Sequence, residues 1–211
     1  MQVSPKALLG KRTVDTLVRV WTQSGKAQWL QIHIEVQSQV DPHFAERMFV
    51  YAYRLYDRYH QLPVSIAVLG DDSPNWRPEQ YITKNATSAM SLHFGMVKLL
   101  DYQARWEGLV NDSNPFALVV LAHLEAMRTD QNSLERVDAK TELMRLLGLR
   151  KYSEQETEDL LRFVDWLLQL STAMEPLYEA RVAEMKGREP MTYISTLERK
   201  AQRTTSRTQK Q

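Results

Sequence analysis

Cysteine is absent from this chain of 211 residues. Its absence excludes disulfide bonds and zinc sites with thiolate ligands, and it agrees with a reducing compartment. A long apolar run is also missing, since no stretch approaches the ~18 residues that a membrane-spanning helix needs. Residues 1–14 contain basic side chains but no sustained apolar segment, so we expect no signal peptide and a cytoplasmic location.

An excess of charge of one sign is lacking as well. The formal net charge is +1 at pH 7. The chain therefore has no overall basic field, and binding to nucleic acid would have to come from a local patch. A chain of this length buries enough apolar surface to fold without a disulfide or a structural metal.

The N-terminal half carries patterns that are typical of strands. Residues 14–21 and 28–37 alternate apolar and polar side chains around a short loop that contains Gly25, which predicts a β-hairpin. Residues 63–70 are almost all apolar and predict a buried strand. A further strand is predicted over residues 91–99.

One helix is predicted among these strands. Residues 43–61 contain no glycine or proline, and their apolar side chains recur at helical spacing. Asp41 precedes Pro42, and this pair suits a helix that is capped by Asp41 and begins at the proline.

The C-terminal half is dominated by helical patterns. Asn114-Pro115 opens an apolar helix, and Ser153 with Glu156 forms a capping-box pattern at the start of another. Residues 199–211 hold five basic residues and no acid, which predicts a disordered tail. The predicted helices are 116–127, 134–147, 153–170 and 176–185.

The order of these elements indicates the fold class. Strands with one helix among them come first and helices follow, which is typical of an α+β fold, or of a compact α/β core with a helical appendage. We expect a core over residues 1–112, a helical region over 113–198 and the basic tail over 199–211.

Pairing across the hairpin brings two acids together. With a loop at 24–26, Thr16 lies opposite Ile34, and one face of both strands is continuously apolar. On the other face Asp15 lies opposite Glu35, and a shift by two residues would keep both faces intact. Two carboxylates about 5 Å apart at Cβ repel each other unless a proton or a cation lies between them. The hairpin therefore predicts half of a site for Mg²⁺, which is usually held by one or two carboxylates and waters.

Other residues on this face leave alternatives open. Gln37 could orient a water or a phosphate oxygen. His33 is either a neighbour of the metal or a structural hydrogen-bonding residue. Glu35 could instead be solvated or paired with Arg19. This alternative stays open because short motifs such as E-x-Q often occur by chance.

Three stretches resemble a known family: VDTLVRVW (14–21), IHIEVQSQVDPHFAERMFVYAYRLYDRY (32–59) and VSIAVLGDDSPNWRP (64–78). They are similar to the Rpn family of recombination-promoting nucleases, which is also described as transposases and forms a branch of the PD-(D/E)XK nuclease superfamily. The resemblance extends to SNPFALVVLAHL (113–124) and MTYISTLER (191–199).

The resemblance implies a restriction-endonuclease-like core over 1–112, with a small mixed sheet flanked by helices. It also implies cleavage of DNA phosphodiesters with Mg²⁺ or Mn²⁺, in recombination or transposition. Asp15 falls on the motif Asp and Glu35 on the (D/E) position, so these two residues would hold the metal. Gln37 stands where many relatives have Lys, and it completes the implied catalytic set.

One departure from the superfamily concerns the N-terminus. Relatives usually have a helix before the hairpin that carries a further Glu at the metal site and covers one face of the hairpin. Residues 1–14 contain no acid, so the resemblance implies a chain that is shortened here. Asp71 or Asp72, after the strand 63–70, could replace the missing Glu.

The predicted helix carries a stripe of three arginines and a tyrosine: Arg47, Tyr51, Arg54 and Arg58. At 3.6 residues per turn these side chains lie within about 60° of one another, beside the apolar face. Arg47 and Tyr51 match an Arg and a Tyr that are often found in this helix of the family. The stripe predicts contacts with DNA phosphates; the alternative is a solvated face that pairs with Glu46 and Asp57.

The expected function is therefore that of a metal-dependent DNA endonuclease with DNA as its partner, and assembly into a homo-oligomer is left open. Two alternatives remain. One is a catalytically inactive descendant that still binds DNA. The other is a protein-interaction module built on the helices of 115–187.

Overall fold

The structure is a computed structural model that describes residues 16–21 and 27–188. These residues form a mixed α/β fold of small sheets and α-helices. They divide into two compact units, with the boundary between Lys98 and Leu99. Each unit has its own apolar core.

The first unit contains the strands, which are β1 (Thr16–Trp21), β2 (Ala27–Gln37), β3 (Val64–Leu69), β4 (Gln80–Lys84), β5 (Ala89–His93) and β6 (Gly95–Lys98). Four of them form one sheet in the order β1-β2-β3-β6. Strands β2, β3 and β6 run parallel, and β1 is antiparallel to β2. Strands β4 and β5 form a separate antiparallel pair. The carboxyl ends of three strands therefore meet at one edge of the main sheet.

The predicted hairpin is confirmed, but its register differs by two residues from the one expected. Thr16 lies opposite Ile32 instead of Ile34, and Trp21 lies opposite Ala27. The predicted loop at 24–26 lies outside the described residues. A two-residue shift keeps the side chains on their faces. The register that put Asp15 directly opposite Glu35 is therefore not the one observed, and Asp15 itself lies outside the described residues.

The helix predicted over 43–61 is α1 (Phe44–Tyr59), which links β2 to β3. Its apolar side chains recur every four residues and are buried against the sheet: Phe44, Met48 and Ala52. The helix ends at His60, whose backbone is left-handed with φ 53°. Because β2 and β3 are parallel, α1 runs back along the sheet, and its N-terminus lies at the carboxyl ends of the strands.

Asp41 does not cap α1 as predicted. The helix begins at Phe44, two residues after the predicted start at Pro42. The side chain of its N-cap residue, His43, makes no capping hydrogen bond. The carboxylate of Asp41 instead accepts a hydrogen bond from the His43 amide at 2.8 Å and another from Arg47. A turn stabilised by this side chain precedes the helix.

In the main sheet, the polar face of β2 is the buried face. Gln31 and His33 on that face are buried, because α1 and the apolar side chains of β3 pack there. On the opposite face, Ile34 and Val36 are 54% and 61% exposed, and Val64 of β3 is also exposed. On this face the apolar side chains of β2 and β3 are therefore the exposed ones.

The strand predicted over 91–99 is divided into β5 and β6. The division falls at Phe94, whose side chain is buried in the core and whose amide donates to the Glu79 carbonyl at 3.0 Å. Strand β5 pairs only with β4, whereas β6 joins the main sheet beside β3.

The second unit is helical. A 3-10 helix (Leu99–Arg105) leads into α2 (Trp106–Asn111), α3 (Pro115–Arg128), α4 (Leu134–Leu149), α5 (Glu154–Leu167) and α6 (Glu175–Arg188). The predicted starts of α3 and α5 are confirmed, since Asn114 caps the first and Ser153 with Glu156 forms the capping box of the second. Leu109 of α2 belongs to the core of this unit, which places the boundary before residue 112. The tail 199–211 lies outside the described residues.

Within the part of the chain that the structure describes, no helix combines the length and the apolar character that a membrane span requires.

Candidate functional site

Polar side chains gather at the carboxyl edge of the parallel strands. Glu35 and Gln37 lie at the end of β2, Asp71 follows β3, and Lys98 is the last residue of β6. In the register of the sheet, Gln37 is opposite Leu69, and Leu69 is opposite Lys98. In open sheets with parallel strands, ligands bind at this edge. We therefore take this edge as the candidate site.

Four side chains at this edge form what we call the Arg47 cluster: Glu35, Gln37, Asp41 and Arg47. The guanidinium of Arg47 lies at its centre. Its Nε donates to Glu35 Oε1 at 3.3 Å, its Nη1 to Asp41 Oδ2 at 2.5 Å, and its Nη2 to Gln37 Oε1 at 2.7 Å. One cation thus holds three side-chain oxygens.

The local sequence explains how these groups meet. The E-x-Q spacing puts Glu35 and Gln37 on the same face of β2, because side chains alternate along a strand. Asp41 follows in the turn before α1. Arg47 lies in the first turns of α1, next to the face that packs on the sheet, and its long side chain reaches the end of β2.

The Arg47 cluster is partly shielded from water. The side chains of Glu35, Asp41 and Arg47 are 12%, 24% and 26% exposed. The hydrogen bond from Arg47, followed by the one from the His43 amide, holds the pKa of Asp41 below its usual value. Burial disfavours the charged form of Arg47, but the hydrogen bonds and charges of Asp41 and Glu35 outweigh it and raise its pKa. Arg47 thus forms ion pairs with both carboxylates of the cluster.

Asp71 belongs to a separate pair on the same edge. Its Oδ1 lies 2.6 Å from Lys98 Nζ, and both side chains are almost fully buried. Lys98 Nζ also donates to the carbonyl of Trp76 at 3.3 Å and lies 5.6 Å from the centre of its ring. The Trp76 ring packs on Phe44, so this tryptophan anchors its own loop.

Asp71 and Asp72 were the acids expected to replace the missing Glu at the metal site. Asp71 is engaged by Lys98 and is not part of the Arg47 cluster, whereas Asp72 is exposed. Among residues 16–21 and 27–188, no three His, Asp or Glu side chains are grouped so that they could hold a metal ion.

The stripe on α1 is divided between two environments. Arg47 binds the acids of its cluster instead of facing solvent, and the ring of Tyr51 packs edge-on against His33 at 5.7 Å. Arg54 and Arg58 are exposed. At 1.5 Å per residue they lie about 10 and 16 Å along the helix from Arg47, toward the opposite edge of the sheet.

Three further residues were considered for the site in the sequence analysis: His33, Glu46 and Asp15. His33 is buried, and its Nδ1 lies 3.4 Å from Ser65 Oγ, which suits a structural role. Glu46 lies 3.7 Å from His43. Asp15, the other predicted metal ligand, lies outside the described residues.

Sequence reasoning missed two features of the site. It assigned Asp41 to a helix cap, and it did not foresee the bonds from Arg47 to Glu35 and Asp41; contact of Arg47 with DNA stays a prediction. A signal was present in the pattern, since Arg47 borders the apolar face of α1 and therefore lies near whatever that face covers. The polar face of β2 was the available partner.

The donor set of the cluster can be compared with the needs of a metal ion. Carboxylate and amide oxygens are the ligands that Mg²⁺ and Mn²⁺ prefer, and three such oxygens surround the Arg47 guanidinium, each bound by a different nitrogen. The residues present therefore fit a hard divalent ion in their chemistry. The cation that they hold in this structure is the guanidinium of Arg47.

Comparisons of the chain with protein-family models, with curated proteins and with solved structures returned no match. The case for a function therefore depends on the site residues and on the sequence resemblance.

Proposed function

We propose that this chain is a metal-dependent DNA endonuclease of the recombination-promoting type, with a PD-(D/E)XK core. The observation that carries the proposal is the convergence of side-chain oxygens from Glu35, Gln37 and Asp41 on one cation, at the carboxyl edge of the parallel strands. The order of a hairpin, a helix and a parallel strand agrees with the core that the motifs imply.

Each residue has a role in this proposal. Glu35 would hold Mg²⁺ or Mn²⁺, together with Asp15, which the resemblance places beside it. When bound, such an ion lowers the pKa of a bound water and stabilises charge on the phosphate. Glu35 is well placed to orient a ligand, because its side chain is mostly buried and fixed on a strand.

Gln37 differs from the lysine that many relatives carry. Its amide can donate a hydrogen bond to a phosphate oxygen or a water, but it adds no positive charge. In the structure its Oε1 accepts from Arg47 and its Nε2 donates to the Gln39 carbonyl at 2.9 Å. Its role in this proposal is to position a ligand, and the stabilisation of negative charge would depend on cations nearby.

The test is cleavage of supercoiled plasmid by the purified full chain in Mg²⁺ or Mn²⁺, with EDTA as the control. We expect nicking that requires the metal. A folded chain that binds DNA but leaves it intact in both metals would overturn the proposal.

A second candidate is favoured by the position of Arg47. If the guanidinium permanently replaces the metal at Glu35 and Asp41, the chain is a non-catalytic descendant that binds DNA or a protein partner. Its exposed arginines on α1 would still meet DNA phosphates. The same plasmid experiment separates the two candidates, because the second predicts binding without nicking.

A further inference from the structure

We infer that Arg47 is an internal cation that competes with a divalent metal ion for Glu35, so that the metal binds only when the guanidinium leaves the cluster. This inference rests on the proposed function, because it concerns the metal site of that nuclease. The ions concerned are hard divalent ones such as Mg²⁺ and Mn²⁺.

The first reason is the arrangement of the donors. All three nitrogens of the guanidinium are used within the cluster, each on a different side chain. An ion that binds Glu35 through Oε1 would need the oxygen to which Arg47 Nε now donates. The guanidinium and the ion therefore compete for this oxygen.

The second reason is charge. Arg47 forms ion pairs with both Glu35 and Asp41. A divalent ion at Glu35 would lie next to the bound guanidinium in a partly buried place, where repulsion between the two cations is screened less than in water. Without Arg47, two carboxylates match a divalent ion.

The third reason is that Arg47 has a route out. Its side chain is about a quarter exposed, and the guanidinium carbon lies 5.2 Å from the centre of the Phe44 ring at the start of α1. A long, partly exposed arginine can turn its head group to water while its aliphatic stem stays packed.

The experiment is a calorimetric titration of the full chain with Mn²⁺, in the absence of DNA. It compares the wild type with Arg47→Met and with Arg54→Met, a matched loss of an exposed arginine on the same helix. A nearby charge shifts the ionisation of a carboxylate by about 1 to 3 pKa units. By analogy we expect Arg47→Met to bind Mn²⁺ about tenfold or more tightly than the wild type, and Arg54→Met to bind like the wild type.

A second substitution identifies the ligand. Adding Glu35→Gln to Arg47→Met should remove the gain in affinity, because the carboxylate that the metal takes over is lost. If Arg47→Met is folded and binds Mn²⁺ no more tightly than the wild type, or keeps its gain without Glu35, the inference is wrong.

Loss of Arg47 removes an ion-pair partner of both Glu35 and Asp41, so the variant could fail to fold in EDTA. Recovery of its circular dichroism spectrum on addition of Mn²⁺ would support the inference, since the metal would then replace the guanidinium. Arg47→Lys serves as the second variant. It keeps one positive charge but cannot donate to three separated oxygens at once, so we expect an intermediate affinity. If Arg47→Met stays unfolded in Mn²⁺ and Arg47→Lys binds Mn²⁺ like the wild type, the inference is wrong.

The results separate this inference from the proposed function. Metal-dependent nicking by the wild type, with no gain in Arg47→Met, would keep the nuclease and reject competition by Arg47. A gain in Mn²⁺ affinity, with no nicking by any variant, would keep the competition and reject the nuclease.

Discussion

Lys98 and Asp71 form a buried ion pair at the ends of neighbouring strands. Lys98 also contacts the carbonyl and the ring of Trp76. The pair therefore links the end of β6 to the start of the loop after β3 and to its tryptophan. Asp71 Oδ1 also accepts from the Ser73 amide at 3.0 Å, while its Oδ2 has no hydrogen-bond partner among the described residues; Lys98 is the cation that compensates this buried charge.

Replacing Lys98 with Met should destabilise the first unit by about 3 to 5 kcal/mol, because it leaves Asp71 buried without its cation. Denaturant unfolding followed by Trp fluorescence measures the change. In the double variant Lys98→Met with Asp71→Leu, much of the loss should be recovered, since no buried charge remains. A double variant that is less stable than Lys98→Met alone would contradict this explanation.

At this scale, the sequence shows which side chains share a face but not which face is covered. Alternation placed Glu35 and Gln37 together, and the structure agrees. It could not show that their face is the buried one, because that depends on where α1 packs. The bond from Arg47 to Glu35 likewise joins two elements, and no local pattern specifies it.

Helix α5 shows how far local rules extend. Ser153 and Glu156 exchange hydrogen bonds at its first turn, and the capping box expected from their spacing is confirmed. Both partners lie within four residues, so no tertiary information is needed. By contrast, β4 was not predicted, and the strand over 91–99 was divided in the structure, because partners elsewhere in the chain decide both.

The capping box should make stability depend on pH. Hydrogen bonds from the Ser153 hydroxyl and then from its amide hold the pKa of Glu156 below its value of 4.5 in unfolded chains. A lowered pKa in the folded state stabilises the fold above pH 4.5, and this contribution is lost as the pH falls through the folded value.

We therefore expect Glu156→Gln to lose less stability than the wild type when the pH is lowered from 6 to about 3. Thermal unfolding at several pH values measures this difference. Glu154→Gln, in the same first turn but outside the capping box, is the control and should keep the wild-type dependence. Equal slopes for the wild type and Glu156→Gln would contradict the prediction.

The exposed part of α1 is the element that we expect to meet DNA. Arg54 and Arg58 are one helical turn apart and exposed. If each neutralises one phosphate, replacing either with Met should reduce the salt slope of DNA binding, measured as log K against log salt, by about 1. Fluorescence anisotropy over a series of salt concentrations gives this slope.

Arg162→Met is a matched control for this prediction. Arg162 is an exposed arginine on α5, in the helical unit, and it lies near Glu158 at 3.9 Å. We expect its replacement to leave the slope unchanged. If Arg54→Met and Arg58→Met also leave the slope unchanged, α1 does not contact the phosphates.

For the whole molecule, the order of strands followed by helices was correctly predicted, and so was the mixed class of fold. The boundary between the units was expected at residue 112, but the structure places it at Lys98. The short helices after β6 carry too little pattern to show that Leu109 packs with the helical core. The arrangement of site residues from β2, α1 and the turn between them likewise follows from the folded unit as a whole.

The central claim is that Glu35 holds the metal of a DNA endonuclease. The most direct test is the single-turnover rate of plasmid nicking in saturating Mn²⁺, compared between the wild type, Glu35→Gln and the exposed control Glu135→Gln. We expect Glu35→Gln to nick at least about a hundredfold more slowly, the loss typical of one preorganised electrostatic contact, and Glu135→Gln to match the wild type. Nicking by Glu35→Gln at the wild-type rate would contradict the claim.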